Sequence, residues 1–148
     1  MALLEQINAD LKAAMKSGDK FKTTTIRTLK SAIKYAEIEA GGELDDDRIV
    51  GVIIKQAKQR RDSIAEFKKA NRTDLIENES AELAILEQYL PAQLSEEQIR
   101  EKAQAVIAEL GVTDAKGMGQ VMKRLMADLQ GQTDGKTVNT VVRQLLSA

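Results

Sequence analysis

One proline, Pro91, stands in 148 residues, and the nine glycines are confined to a few sites. A chain of many strands needs frequent turn residues, so long stretches without them favour helix. Inside those stretches apolar residues recur at helical spacing. Leu4, Ile7, Leu11 and Ala14/Met15 predict a first helix over about 2–17, stopped by Gly18, with Asp19 placed to cap the next. Ile26, Leu29, Ile33 and Ala36 give a second over about 20–40, closed by Gly41-Gly42. Val50, Ile53/Ile54, Ala57, Ile64 and Phe67 mark a third over about 46–70. Asn71-Arg72-Thr73-Asp74 then makes a turn, with Thr73 or Asp74 capping a fourth helix striped by Leu75/Ile76, Leu83, Leu86 and Leu90.

Pro91 disfavours the α conformation at Leu90 and is the clearest boundary in the chain. After it, Ser95-Glu96-Glu97-Gln98 has the pattern of a capping box. Ile99, Ala103, Val106 and Leu110 form a fifth helix ending at Gly111, and Met118, Val121/Met122, Leu125/Met126 and Leu129 a sixth over about 115–129. Past Gly131, Asp134 caps a seventh that uses Val138, Val141/Val142 and Leu145. The expected fold is all-α: a four-helix N-terminal domain, 1–91, followed by a small three-helix tail domain, 92–148.

Composition narrows the chemistry. Apolar residues make up 43% and charged residues 30%, within the globular range. Aromatics are 3% and Trp is absent, so the core must come from Leu, Ile, Val, Ala and Met. With no Cys and no His, thiolate sites, disulfides and the commonest general base and metal ligand are missing. No catalytic residue, metal or cofactor is therefore expected. No apolar run approaches ~18 residues, so no membrane partner is expected. The opening Met1-Ala-Leu-Leu-Glu-Gln has neither a basic leader nor a cleavage site, and a cytoplasmic protein is the expectation.

The densest positive run is Lys55-Gln-Ala-Lys-Gln-Arg-Arg-Asp62, in a chain of formal net charge -1. Arg60 falls on the apolar stripe of the third helix, where a guanidinium must snorkel to water or meet an acid. Glu79 and Glu82, on or beside the fourth helix's stripe, are the candidate partners, and a structural ion pair is expected. Lys58 and Arg61 point elsewhere and stay available. On the second helix Thr23, Arg27, Lys30 and Lys34 share a face, read either as a solvated row or as an anion-binding one. Signs are balanced: residues 1–90 hold 15 Lys/Arg against 16 Asp/Glu, and residues 91–148 hold 7 against 7. Binding to nucleic acid would thus require charge segregated onto one face.

The other motifs are weak. Three acids at 45–47 suit a helix N-terminus better than a metal, since no EF-hand glycine follows. Gly117-Met-Gly119 lacks the Lys-Ser/Thr of a nucleotide loop and permits close helix contact or a helix start instead. Gly131-Gln-Thr-Asp-Gly135-Lys136 joins a turn to a helix N-terminus that could hold phosphate, though Asp134 opposes it. Ser31 beside Lys30 and Lys34 is proximity on a helix, without a base to activate it.

Longer patterns carry a resemblance. Lys58-Gln-Arg-Arg-Asp-Ser-Ile64, Arg72-Thr-Asp-Leu75, Glu87-Gln-Tyr-Leu-Pro91 and Leu94-Ser-Glu-Glu, with Leu11-Lys-Ala-Ala-Met-Lys16, Thr25–Lys34 and the tail Gly119-Gln-Val-Met, Gly131, Asp134-Gly135, Val138-Asn139 and Val142, resemble the GatB/YqeY family over essentially the whole chain. The resemblance implies a two-part helical protein. In GatB the related region is appended to an amidotransferase core, where it helps hold the tRNA body. This chain has no room for that core, so carbon–nitrogen ligase activity with glutamine as donor would be an inherited label. The family tail often has basic residues around the glycine before the last helix, whereas here they are Gln130 and Gln132. The expected function is a non-catalytic module that binds tRNA or another structured RNA in translation, through Arg27, Lys30, Lys34, Lys58 and Arg61, with Lys123, Lys136 and Arg143 in the tail. The alternative is a protein-interaction or accessory module of an amidotransferase or aminoacyl-tRNA synthetase.

Overall fold

The computed structural model describes residues 2–147. Among them the chain forms seven α-helices and one 3-10 helix and no strand, so the all-α class follows the periodicity. The helices gather into two compact units, one ending at Leu90 and one beginning at Pro91.

The first unit holds α1 (Ala2–Ser17), α2 (Lys20–Ala40), α3 (Asp46–Lys69) and α4 (Thr73–Glu87). Between α1 and α2 the chain reverses in two residues. Gly18 takes φ +77, a left-handed conformation that costs a side chain-bearing residue about 1–2 kcal/mol. The Asp19 carboxylate then accepts from the Lys22 N–H at 3.0 Å and starts α2. Of the three acids before α3, Asp45 accepts from the Arg48 N–H at 2.9 Å and Asp46 from the Leu3 N–H at 3.4 Å, while Asp47 is exposed. They are caps. α1 packs on α2, α3 on α4, and α2 also touches α3 and α4. Their shared core is Ile7, Ile26, Leu29, Ile33, Leu44, Ile49, Ile53 and Leu86.

Two details differ from the periodic reading. Ile49, not Val50, is the fully buried residue in the first turn of α3, and from it the buried stripe runs on through Ile53 and Ala57 as expected. α4 starts without a side-chain cap: Arg72 holds the cap position, and its guanidinium takes Asp74 at 3.1–3.3 Å. The Arg72 guanidinium, with backbone N–H groups of the first turn, holds the Asp74 carboxyl below its ordinary value.

The second unit holds α5 (Glu96–Leu110), the 3-10 turn (Ala115–Gly117), α6 (Met118–Asp128) and α7 (Gly135–Ser147). Ser95 and Gln98 exchange both bonds of the capping box, at 2.9 and 3.2 Å. Each of the three helices packs on the other two, around Ile99, Ala103, Val106, Val121, Leu125, Leu129, Val138, Val141, Val142 and Leu146. The Leu94 N–H donates to Gln132 O at 2.8 Å and Gln93 Nε2 to Gly131 O at 2.7 Å, lacing the connector onto the loop before α7.

Candidate nucleic-acid interface

The basic run in α3 is drawn into the packing of α4. Arg60, with its side chain 14% exposed, donates through Nε to Glu82 Oε2 at 3.1 Å and through Nη1 to Gln56 Oε1 at 2.9 Å. Glu79 is the outer acid, 4.0 Å from the same Nε. Burial, reinforced by the nearby Glu82 charge, pushes the Glu79 carboxyl above its ordinary value, and Arg60 only partly opposes this. Arg61 is also committed. Its Nη2 donates to Glu87 Oε1 at 3.0 Å with both side chains half-buried, so it braces α3 against α4 where the sequence reading left it available. Lys58 is exposed and pairs with Asp62 on its own helix at 3.1 Å.

The α1–α2 hairpin is different. It carries seven Lys/Arg against five Asp/Glu, whereas residues 41–90 carry eight against eleven. Among the described residues, none of those seven cations enters an ion pair, while in residues 41–90 Lys58, Arg60, Arg61, Lys69 and Arg72 all do. Two clefts run between α1 and α2. One, about 410 Å³, is lined by Ala14, Met15, Gly18, Lys20, Thr23, Thr24 and Arg27. The other, about 390 Å³, is lined by Leu4, Asn8, Lys30, Ser31, Ile33, Lys34 and Glu37. The structure thus brings Arg27, Lys30 and Lys34 to one seam, joined by Lys20, which sequence reasoning missed. Lys58 and Arg61 line neither cleft. Thr23, assigned to the basic face, turns inward instead, and its hydroxyl donates to Asp19 O at 2.7 Å. Ser31 shares its cleft with Lys30 and Lys34 but hydrogen-bonds to neither.

In the second unit Lys123, Lys136 and Arg143 are exposed. Lys136 borders a small cleft with Glu96, Thr137, Thr140 and Val141. The α7 N-terminus is already capped by Asp134, whose carboxylate accepts from the Thr137 N–H at 2.7 Å, so a phosphate there would compete with a built-in anion. Arg124 is held between Glu109 at 3.1 Å and Asp128 at 3.0 Å, and both bonds raise its already high pKa.

Residues 4–146 match the family model described as Yqey-like protein. A relative from Clavispora lusitaniae, named Altered inheritance of mitochondria protein 41, mitochondrial, is 38% identical over 86% of this chain and 76% of its own length. Relatives of the same name are 32% identical in Pyrenophora tritici-repentis, over 99% of this chain and 82% of theirs, and 45% identical in Kluyveromyces lactis, over 58% and 47%. These names correct the cytoplasmic expectation, because the matched relatives are named as mitochondrial proteins. That expectation rested on the opening residues and on the lack of an apolar run.

Proposed function

The chain belongs to the YqeY-like protein family, and from that premise we propose that it is a non-catalytic helical module that binds tRNA or a tRNA-like RNA through its phosphates. The observation that carries this reading is the seam of α1 and α2, where, among the described residues, Lys20, Arg27, Lys30 and Lys34 enter no ion pair, with Glu37 the one acid lining their clefts. A cation already paired must break that pair to meet a phosphate, whereas these four lose only water and counterions. The α3 guanidiniums serve the fold, and the seam serves the ligand. Lys123, Lys136 and Arg143 add a second basic contact from the tail domain. In this reading the two units act as separate domains, 1–91 and 92–148, and the location is mitochondrial, carried from the relatives' names.

The test is filter binding of tRNA at several salt concentrations. Binding that weakens steeply with salt, and loses about one unit of log–log slope for each of Lys30→Gln and Lys34→Gln, is expected. Absence of binding even at low salt sinks the reading.

A further inference from the structure

Beside the cation row, α2 carries an exposed and mostly uncharged face, with one acid, Glu39, a turn beyond Tyr35 at its C-terminal end. Tyr35 and Ile38 are 65% and 69% exposed, the most exposed of the large hydrophobic side chains, and Phe21 lies on the same helix at 38%. Met15 of α1, at 53%, leans on the row itself, its Sδ 3.8 Å from Arg27 Nη2. Four of the five exposed large hydrophobics in the described chain therefore collect at this hairpin. On α2 the spacing is tight. Ile38 lies one turn from both Lys34 and Tyr35, and Ser31 lies one turn from both Arg27 and Tyr35. An aromatic ring, a hydroxyl and two free cations thus share a surface that rises only about 10 Å along the helix from Arg27 to Lys34.

We propose that Tyr35, flanked by Ile38, is a stacking platform for an unpaired nucleotide whose neighbouring phosphates lie along Arg27 and Lys34. The proposal rests on the RNA-binding reading and deepens it, from binding of RNA shape to a preference for RNA with a splayed base. Charge favours a polyanion over a second copy of the chain, whose own Arg27 and Lys34 would meet these. Side-chain character favours RNA over a docking helix. The positions between Phe21 and Tyr35 on this face are Thr24, Thr28 and Ser31, hydroxyls where a helix seam would need large apolar residues. Hydroxyls beside an aromatic face suit a nucleotide, which offers a π surface to stack and ribose and phosphate oxygens to accept bonds.

Fluorescence anisotropy decides it, using the full chain, an intact tRNA with its single-stranded 3′ end, and a blunt RNA duplex of matched length. Tyr35→Ala should weaken tRNA binding by about tenfold with the salt slope unchanged, and leave the duplex affinity as in the wild type. Tyr35→Phe should restore tRNA binding, because the ring is retained. Equal tRNA binding by wild type and Tyr35→Ala overturns the platform while the RNA reading stands. Failure of the wild type to bind either RNA at low salt overturns both. A protein retained by the wild type after nuclease treatment and lost in Tyr35→Ala assigns the face to a protein partner and likewise overturns the platform.

Discussion

Glu79 and Glu82 are near-equivalents in sequence, yet Arg60 divides them by about an ångström. Glu82 is bonded at 3.1 Å, and its replacement leaves a half-buried guanidinium short of an acid. Glu82→Gln should lower stability by about 1–2 kcal/mol, read from chemical denaturation. Glu79 behaves oppositely. Its carboxyl is raised above 4.5 in the folded chain, so its contribution to stability is present at acid pH and is lost as pH rises through that raised value. Glu79→Gln should therefore be neutral or raise stability by up to about 1 kcal/mol at pH 7, with the gain shrinking in acid. Tyr89 is a second residue with a pH signature. Its hydroxyl donates to Asp10 at 2.5 Å across 79 residues of chain, and burial, with that acid beside it, pushes its pKa well above 10.0. The bond's stabilisation is present below the ordinary tyrosine value and lost as pH rises through the raised one. In a Tyr35→Phe background, absorbance at 295 nm should show Tyr89 ionising later than a free tyrosine, together with loss of helical circular dichroism.

Among the elements, the α5–α6 junction gives a glycine pair with opposite expectations. A Cβ on Gly117 would overlap the isopropyl group of Val112, while one on Gly119 meets nothing. Gly117→Ala should destabilise the second unit by about 1–3 kcal/mol and be partly rescued by Val112→Ala. Gly119→Ala should be neutral or stabilising by up to about 1 kcal/mol. Thermal melts of Gly117→Ala, Val112→Ala, their double variant and Gly119→Ala check both. The sequence offered close helix contact or a helix start for Gly-Met-Gly, and the structure puts both on Gly117, which lies against Val112 and caps α6, while Gly119 sits within the first turn of that helix. The boundaries of α1, α2, α3 and α5 were legible because their signals are local: Gly18 and Asp19, the acids before α3, and Ser95 with Gln98 act within one turn. The start of α4 was not, because Arg72 and not Thr73 or Asp74 holds the cap position, without a side-chain cap bond for the sequence to signal.

At the scale of the molecule the two units close separate cores with no residue in common. A fragment 92–148 should keep a cooperative helical melt on its own, and a fragment that is unfolded by circular dichroism would show that its core needs the first unit. Charge is the second property at this scale. The sum is nearly neutral, yet the α1–α2 hairpin is net positive and residues 41–90 net negative. Lys58→Gln should consequently leave the salt dependence of tRNA binding unchanged where Lys34→Gln reduces it, because Lys58 answers to Asp62 and lines no part of the seam.

Sequence by itself determined that this chain is helical, where most of its helices begin and end, and that Arg60 needed an acid, since each follows from residues within a turn or from a charge on an apolar stripe. Only tertiary structure decided which cations are free. Arg61 and Lys34 look alike as exposed-face basic residues, but Arg61 meets Glu87, 26 positions away, because α4 packs beside α3. Among the described residues Lys34 enters no ion pair, although Glu37 lines the same cleft. A Coulomb partner is fixed by distance in space, and for residues on different helices that distance exists only after the helices have packed.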